Sequence, residues 1–190
     1  MLKTIGGFLL ASLISIFAAF LSYYFKIIQE LLDPFISLIK AIPVASYVIL
    51  VLIWIRGSSY LSFVIAFLVV FPVSYINILN GLINTDKKLL ELAKIFHVSF
   101  FKKLKYVYIP AIKPFLLSSF ETTIGMSWKS GIAAELIGQP QNTIGYYLYQ
   151  SKVFLDTADL FAWTFVIVIL SYVFEKICTL LIKRYFKANP

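Results

Sequence analysis

The hydrophobic residues of the chain fall into five long stretches that are separated by shorter polar segments. Residues 4–25, 41–55 and 57–85 contain no Asp, Glu, Lys or Arg, whereas residues 114–136 contain three such residues and residues 160–182 contain two. A helix needs about 20 mainly apolar residues to cross a bilayer, and backbone amides inside the bilayer are satisfied only within a helix or a closed barrel. The pattern therefore predicts an all-α, polytopic transmembrane domain with about five membrane-spanning helices.

Two of these stretches have lengths that need an explanation. Residues 41–55 are too few to span a bilayer, so the second helix is expected to begin near Pro34, with the Lys40 ammonium extending back to the headgroups. Residues 57–85 are more than a tilted helix needs, so the ends of this stretch are expected to be turn or interfacial residues.

Composition and charge agree with a membrane protein. The chain is 61% hydrophobic and 14% charged, whereas a soluble domain carries about 25% charged residues. Of the seventeen Lys and Arg residues, thirteen fall on one side of the predicted spans, which places residues 86–113 and the carboxyl terminus in the cytoplasm and the amino terminus outside. These basic residues are spread over several membrane-flanking segments, so nucleic acid is not an expected partner.

Several kinds of chemistry are excluded by the residues present. The chain has one cysteine, Cys178, and one histidine, His97, so a multi-Cys or multi-His metal site is not expected. It contains no G-x-x-x-x-G-K-[ST] phosphate-binding sequence. We therefore expect no metal, no cofactor and no ATP hydrolysis in this chain, which is predicted not to be an enzyme.

The polar segment at residues 86–110 has the pattern of a helix that is too short to span a membrane. Its apolar residues recur with helical spacing: Leu89, Leu92, Ala93 and Phe96. Thr85 or Asp86 is placed to cap this helix, Ser99 to cap a second one, and Pro110 and Pro114 to punctuate the entry into the fourth span. The apolar side of the first helix is predicted to contact the bilayer surface, the spans of the chain itself, or a groove on another protein.

The spacing of this segment resembles a known motif. Glu91-Leu92-Ala93 is followed by three residues, His97, nine residues and Val107-Tyr108-Ile109-Pro110. Bacterial binding-protein-dependent ABC transporter permeases carry Glu-Ala-Ala, three residues, Gly, nine residues and Ile-x-Leu-Pro at this place. His97 replaces a glycine that ends a helix with positive φ, and histidine is one of the few other residues found in that conformation.

Other motifs extend the resemblance over nearly the whole chain, toward permeases for nitrate, sulfonates, taurine and pyrimidine precursors. They are Leu32-Asp33-Pro34 with Ala41-Ile42-Pro43, Phe71-Pro72, Trp128-Lys129 with Ala133-Ala134-Glu135, and Ile144-Gly145-Tyr146. The resemblance implies a single ABC-transporter transmembrane domain over residues 1–190. Such permeases usually have six spans, and the first of these is not among the five expected here.

The resemblance also implies a mechanism and partners. Residues 86–110 would form the cytoplasmic coupling loop, which docks into an ABC ATPase that holds the ATP and Mg. The residues expected to make this contact are Glu91, Leu92, Ala93, Phe96, His97 and Pro110. The other implied partners are a second copy of the chain as a homodimer, an extracellular or periplasmic solute-binding protein and membrane lipid, at the bacterial cell membrane. The expected function is import of a small solute, for which an anion is one candidate.

Two other functions are alternatives to this one. An ATP-independent secondary transporter or channel would have similar spans. A small intramembrane enzyme would need an acid and a base, but Glu121 and Glu135 lie 14 residues apart, about 21 Å along one helix.

The fourth span carries the candidate pathway residues. Ser118, Thr122, Gly125 and Lys129 share one side of a helix, and Glu121, Trp128 and Glu135 lie on the neighbouring stripe. This polar side is predicted either to pack against other helices or to line the solute pathway. Lys129 either attracts an anionic solute or is interfacial. After a turn at residues 138–145, residues 146–154 are expected to form a short amphipathic stretch that caps the pathway.

Overall fold

The computed structural model describes residues 2–55 and 58–188, and helices account for most of them. Gly57, the expected start of the third stretch, lies outside the described residues. The helices are α1 Leu2–Tyr24, α2 Lys26–Ala41, α3 Val44–Ile55, α4 Leu61–Ile83, α5 Lys87–Ile95, α6 Phe100–Lys103, α7 Ile109–Gly138, α8 Ile144–Val153 and α9 Thr157–Ala188. The prediction of an all-α polytopic domain is confirmed.

Three helices among the described residues are long and apolar enough to cross a membrane. They are α1, α4 and the Thr157–Ile182 part of α9, and they correspond to the first, third and fifth predicted spans. The pair α2 and α3 counts as a fourth if it is one broken span. The 30-residue helix α7 contains the predicted fourth span together with its charged residues. A total of five spans remains a prediction.

The second span is not the single helix that we expected. α2 and α3 meet at an angle of 106°, and the bend lies at Ile42, just before Pro43. A residue that precedes proline avoids helical backbone angles, and Ile42 is extended with φ −81° and ψ 130°. Pro34 lies inside α2 and does not begin a helix. The expectation of one helix from near Pro34 to Ile55 is therefore wrong.

The core of the molecule is α4, which packs along α1 on one side and α7 on the other. Small residues allow this close approach, because a Cβ added to Gly7 of α1 would lie 2.2 Å from the Phe63 carbonyl oxygen of α4. Hydroxyl groups join the same helices: the Tyr75 hydroxyl donates to Ser22 Oγ at 2.9 Å. Close packing and interhelical hydrogen bonds are the contacts that hold helices together in a membrane.

The second helix of the loop runs into α7 without interruption. Residues Leu104–Tyr108 form a π-helical segment, in which the Ile109 N–H donates to the Leu104 carbonyl. Pro110 follows at the start of α7, where its missing N–H is tolerated next to the widened turn. Pro110 thus lies at the entry into the helix of the fourth span, as expected, but neither Pro110 nor Pro114 interrupts the helix. Residues from Phe100 to Gly138 instead form one continuous helix.

The π segment is anchored on α1 by an aromatic contact. Tyr108 is buried, and its ring meets the Tyr23 ring edge to face at 5.7 Å. Burial raises the pKa of the Tyr108 hydroxyl above its ordinary value. The junction between loop and bundle is therefore held by packing of uncharged rings.

The last two helices are attached to the core more loosely. The Tyr147 ring of α8 stacks on Trp163 of α9 at 5.2 Å, and Ser151 Oγ donates to the Asp159 carboxylate at 2.5 Å. Phe174 of α9 contacts α7 by stacking on Trp128 at 5.2 Å. None of the residues in the most apolar window of α9 is buried.

Candidate functional site

The helix α5 has well-defined ends. Its start is capped by the Asp86 side chain, which accepts a hydrogen bond from the Lys88 N–H at 2.8 Å. At its end His97 has φ 48°, its N–H donates to the Lys94 carbonyl at 3.1 Å, and the Val98 N–H donates to the Ala93 carbonyl at 2.9 Å. These two bonds are the Schellman arrangement. The prediction that His97 ends this helix with positive φ is confirmed.

The predicted coupling residues divide into an exposed group and a buried one. Glu91, His97 and Pro110 are exposed, and Leu92 and Phe96 keep 48% and 75% of their surfaces exposed. Ala93 is 7% exposed, so most of its side chain is packed inside the loop. A charge at Ala93 would disrupt the loop itself, whereas a charge at Phe96 would alter only its surface.

An apolar groove runs between the two helices of the loop. It has a volume of about 450 Å³ and is lined by Leu92, Ala93, Phe96, Val98, Lys102, Tyr106 and Val107. The exposed side of α5 and this groove together form a surface at one end of α7, and we call it the α5 surface.

The first polar stripe of α7 is divided by α9. Ser118, Thr122 and Lys129 are exposed, and the Thr122 hydroxyl donates to the Ser118 carbonyl at 2.9 Å. Gly125 is buried, because Glu175 of α9 lies over it with a carboxylate oxygen 3.2 Å from the place of an added Cβ. Glu175 thus covers the middle of the stripe and leaves its two ends open.

The neighbouring stripe lies against the core instead. Glu121 is half-buried and has interactions of its own, whereas Trp128 and Glu135 are 3% and 7% exposed. Glu135 lines two cavities at the α8 end of α7, of about 300 Å³ and 510 Å³. Trp128 lines the smaller of the two. The two stripes are neighbours on the surface of α7, but they face different surroundings. The first is exposed at its ends, and the second lies against the core and the two cavities.

The Glu135 carboxylate connects three helices. One oxygen accepts a hydrogen bond from Ser62 Oγ of α4 at 3.4 Å, and the other accepts from the Gly145 N–H at the start of α8 at 3.3 Å. Gly145 fits closely, because an added Cβ there would lie 2.4 Å from Glu135 Cβ. A negative charge is favoured next to the N-terminus of a helix, so Glu135 holds α8 in place.

The cavities around Glu135 have walls that the sequence pattern did not indicate. The smaller one includes Thr4 of α1, and the larger one includes Lys3 and Ser62. Thr143, which both cavities share, caps α8 by accepting from the Tyr146 N–H at 3.3 Å. These residues come from three regions that are distant in sequence, so only the packing of the helices brings them together.

Metal chemistry has no site among these residues. Within residues 2–55 and 58–188, no group of three or more His, Cys, Asp or Glu side chains is placed to hold a metal ion.

Comparison with known proteins places the chain among transport components. The sequence profile of the family described as "Binding-protein-dependent transport system inner membrane component" matches residues 11–188. A putative aliphatic sulfonates transport permease of Bacillus subtilis is 27% identical over 181 residues, which cover 95% of this chain and 65% of that protein.

Two further relatives have similar levels of identity. A putative ABC transporter permease of Methanocaldococcus jannaschii is 31% identical over 77% of this chain and 55% of its own length. The taurine transport system permease of Escherichia coli is 25% identical over 78% of this chain and 54% of its own length. The chain thus spans about 65% of the length of the Bacillus subtilis permease and little more than half the length of the other two.

Proposed function

Because the chain belongs to the family of binding-protein-dependent transport system inner membrane components, we propose that it is the permease subunit of an ATP-driven importer for a small solute. The names of the relatives support solutes of the sulfonate and taurine kind. Nitrate and pyrimidine precursors are further candidate solutes in this proposal. In this function the chain moves a solute and makes or breaks no bond in it.

The α5 surface is the single observation that supports coupling to an ATPase best. Leu92 and Phe96 present apolar side chains away from the bundle, on a short helix whose two ends are fixed by a cap and a Schellman motif. An exposed apolar patch on a rigid helix is typical of an interaction site. We assign this patch to a groove on a cytoplasmic ABC ATPase, which binds the ATP and Mg.

The continuous helix connects the α5 surface to the transmembrane part of the molecule. α6, the π segment and α7 follow one another without a break, so a displacement of the loop moves α7 as well. In the proposed cycle ATP closes a pair of ATPase subunits and thereby shifts the population of the permease toward its outward-facing arrangement.

The remaining parts of the proposal concern assembly and orientation. Two copies of the chain would form a homodimer in lipid, joined to an extracellular or periplasmic solute-binding protein. The exposed ends of the first α7 stripe, Ser118, Thr122 and Lys129, suit a pathway between the two copies. The basic residues favour a cytoplasmic α5 and carboxyl terminus, with the amino terminus outside the bacterial cell membrane.

A matched pair of variants tests the coupling proposal. Phe96 and Phe154 are each 75% exposed, but Phe96 lies on the α5 surface and Phe154 follows α8 at the other end of α7. Phe96→Glu is expected to reduce the amount of ATPase that copurifies with the tagged chain by about tenfold or more, since it places a charge in a desolvated contact. Phe154→Glu is expected to retain the ATPase.

Both variants should insert normally into the membrane, which fractionation and thermal unfolding of the purified chain will check. Equal retention of the ATPase by the Phe96→Glu variant and the wild type would refute the assignment of the α5 surface.

A further inference from the structure

A long apolar groove runs along α1 and ends at the second helix of the loop. Its volume is about 630 Å³, which exceeds that of the larger cavity at Glu135. Its walls include Leu13, Phe17, Leu21 and Tyr24 of α1, together with Phe100 and Leu104. Every lining side chain is a hydrocarbon except for the Tyr24 hydroxyl. We call this feature the α1 groove, and its chemistry suits an occupant that is itself a hydrocarbon.

The sizes of the side chains indicate what kind of hydrocarbon fits. The buried residues of α1 are all small or hydroxyl-bearing: Thr4, Gly7, Ala11, Ser12, Ser15, Ala19 and Ser22. The α1 groove instead has leucine, isoleucine and aromatic walls. Helices approach one another closely in a membrane through small residues, so these walls do not form a good contact for another helix. A flexible acyl chain adapts to such an irregular surface.

The length of the α1 groove corresponds to one leaflet of a bilayer. Leu13 and Tyr24 lie 11 residues apart, which is about 16 Å along the helix axis, and half of a hydrocarbon core of about 30 Å is about 15 Å. Tyr24 is the last residue of α1, and its ring contacts the Phe100 ring at 6.1 Å. This pair of rings closes the loop end of the groove, at the level where lipid headgroups begin.

Two lysines lie next to this end of the α1 groove. Lys26 is exposed and begins α2, two residues after Tyr24. Lys103 is half-buried and directly precedes Leu104. The basic residues of the chain favour a cytoplasmic loop, and the cytoplasmic leaflet contains anionic lipids that attract lysines near the membrane surface. The groove therefore combines an apolar wall of one leaflet's length with positive charge at its headgroup end.

We propose that the α1 groove binds one acyl chain of an anionic phospholipid, whose phosphate group is held by Lys26 and Lys103. This site is separate from the α5 surface and from the cavities at Glu135, and it requires neither an ATPase nor a solute. One wall of the groove belongs to α1, and the other belongs to the continuous helix that leads into α7. A lipid bound there contacts both helices and stabilises their arrangement.

A matched pair of tryptophan variants tests whether lipid occupies the groove. Phe17 and Phe165 are 66% and 69% exposed on the apolar helices α1 and α9, but only Phe17 lines the α1 groove. Each is changed to Trp in the purified full chain, in nanodiscs of phosphatidylcholine and phosphatidylglycerol. One of the two lipids carries brominated acyl chains, which quench tryptophan emission on contact. The emission of the unmutated chain, with its three tryptophans, is subtracted.

The expected result is a preference for the anionic lipid at one position only. At Phe17→Trp, phosphatidylglycerol is expected to bind about fivefold or more tightly than phosphatidylcholine, since each nearby lysine contributes about that factor. At Phe165→Trp the two lipids are expected to quench equally.

Charge variants in the Phe17→Trp background test the headgroup contact. Lys26→Gln combined with Lys103→Gln is expected to bring the preference for phosphatidylglycerol close to one. Lys152→Gln, at an exposed position in the last turn of α8, is the control and should leave the preference unchanged. Thermal unfolding checks that each variant is folded, and Lys26→Gln alone should lower the preference several-fold if the double variant is not. Added phosphatidylglycerol should also raise the unfolding temperature of the wild type more than that of the double variant.

Three results would overturn the proposal. They are an equal lipid preference at Phe17→Trp and Phe165→Trp, an unchanged preference in the lysine variants, or quenching at Phe165→Trp without quenching at Phe17→Trp. The last result would mean that protein, such as a second copy of the chain, covers the groove. No ATPase and no solute is present in these experiments, so their failure leaves the permease and coupling proposals intact.

Discussion

The helices α4 and α9 are equally hydrophobic but differ completely in burial. Each has a mean hydropathy of 2.2 in its most apolar window, yet half of that window is buried in α4 and none of it in α9. Hydrophobicity therefore predicts that both helices enter a membrane, but it does not determine which of them packs in the interior. In lipid, an apolar side chain gains little by exchanging hydrocarbon for protein.

The difference comes from small and hydroxyl residues. Ser62, Ala66 and Ser74 of α4 are buried, and the Ser74 hydroxyl accepts a hydrogen bond from Ser119 of α7 at 3.1 Å. On α9 the Thr164 hydroxyl donates to the Leu160 carbonyl of its own helix. Close backbone approach and interhelical bonds thus hold α4 in place, whereas most of the large side chains of α9 are exposed.

The largest expected effect comes from truncating the same residue type in each helix. Leu82 of α4 is fully buried, whereas Leu181 of α9 is 63% exposed. Leu82→Ala is expected to lower the free energy of unfolding by about 2–5 kcal/mol, because it leaves a cavity in a packed interior. Leu181→Ala is expected to change it by less than about 0.5 kcal/mol. Equilibrium unfolding by SDS in mixed micelles measures both, and equal losses would contradict the comparison.

A smaller effect is expected where a methyl group is added to the α1–α4 contact. A Cβ on Gly7 would meet the rigid Phe63 carbonyl at 2.2 Å, while one on Gly6 would meet only the mobile Phe63 ring at 3.3 Å. Gly7→Ala should therefore destabilise the chain by about 1–3 kcal/mol, and Gly6→Ala should be nearly neutral. The same unfolding titration applies. A stable Gly7→Ala variant would show that close approach does not hold α1 on α4.

The smallest effect concerns a single interhelical bond. Ser74→Ala removes the bond to Ser119 and is expected to cost about 0.6 kcal/mol, the average for such bonds in membrane proteins. Thr164→Val on α9 serves as the control, since its bond stays within one helix, and it should cost less. If the control costs as much as Ser74→Ala, hydrogen bonding does not distinguish the two helices.

The sequence was sufficient for features that depend on local pattern. Long apolar stretches located α1, α4 and α9, and the motif spacing placed His97 at the end of α5 with positive φ. These features depend on residues close together in the chain. The bend at Ile42 was missed, although Pro43 was its local signal, because the continuous apolar composition of residues 41–55 suggested a single span.

Features that depend on the faces of helices were not predictable in the same way. Helical spacing grouped Gly125 with Ser118 and Lys129. In the structure Glu175 of α9 covers Gly125, whereas Ser118 and Lys129 stay exposed. The surroundings of Glu135 come from α1, α4 and α8, and no periodicity within α7 specifies them. The roles of the coupling and pathway residues remain predictions, and the Phe96→Glu and Phe154→Glu pair tests the coupling role.

The continuous helix from Phe100 to Gly138 has a mechanical consequence. Its 39 residues make a lever of about 58 Å at 1.5 Å per residue, which is longer than the roughly 30 Å thickness of the hydrocarbon core. A rotation of about ten degrees at one tip sweeps the opposite tip through roughly 10 Å, provided that the rod stays stiff. The widened turn at Leu104–Tyr108 has a different backbone geometry from the rest of this lever, and in the proposed coupling the compliance of that turn would set how much of an applied stroke arrives at Glu135.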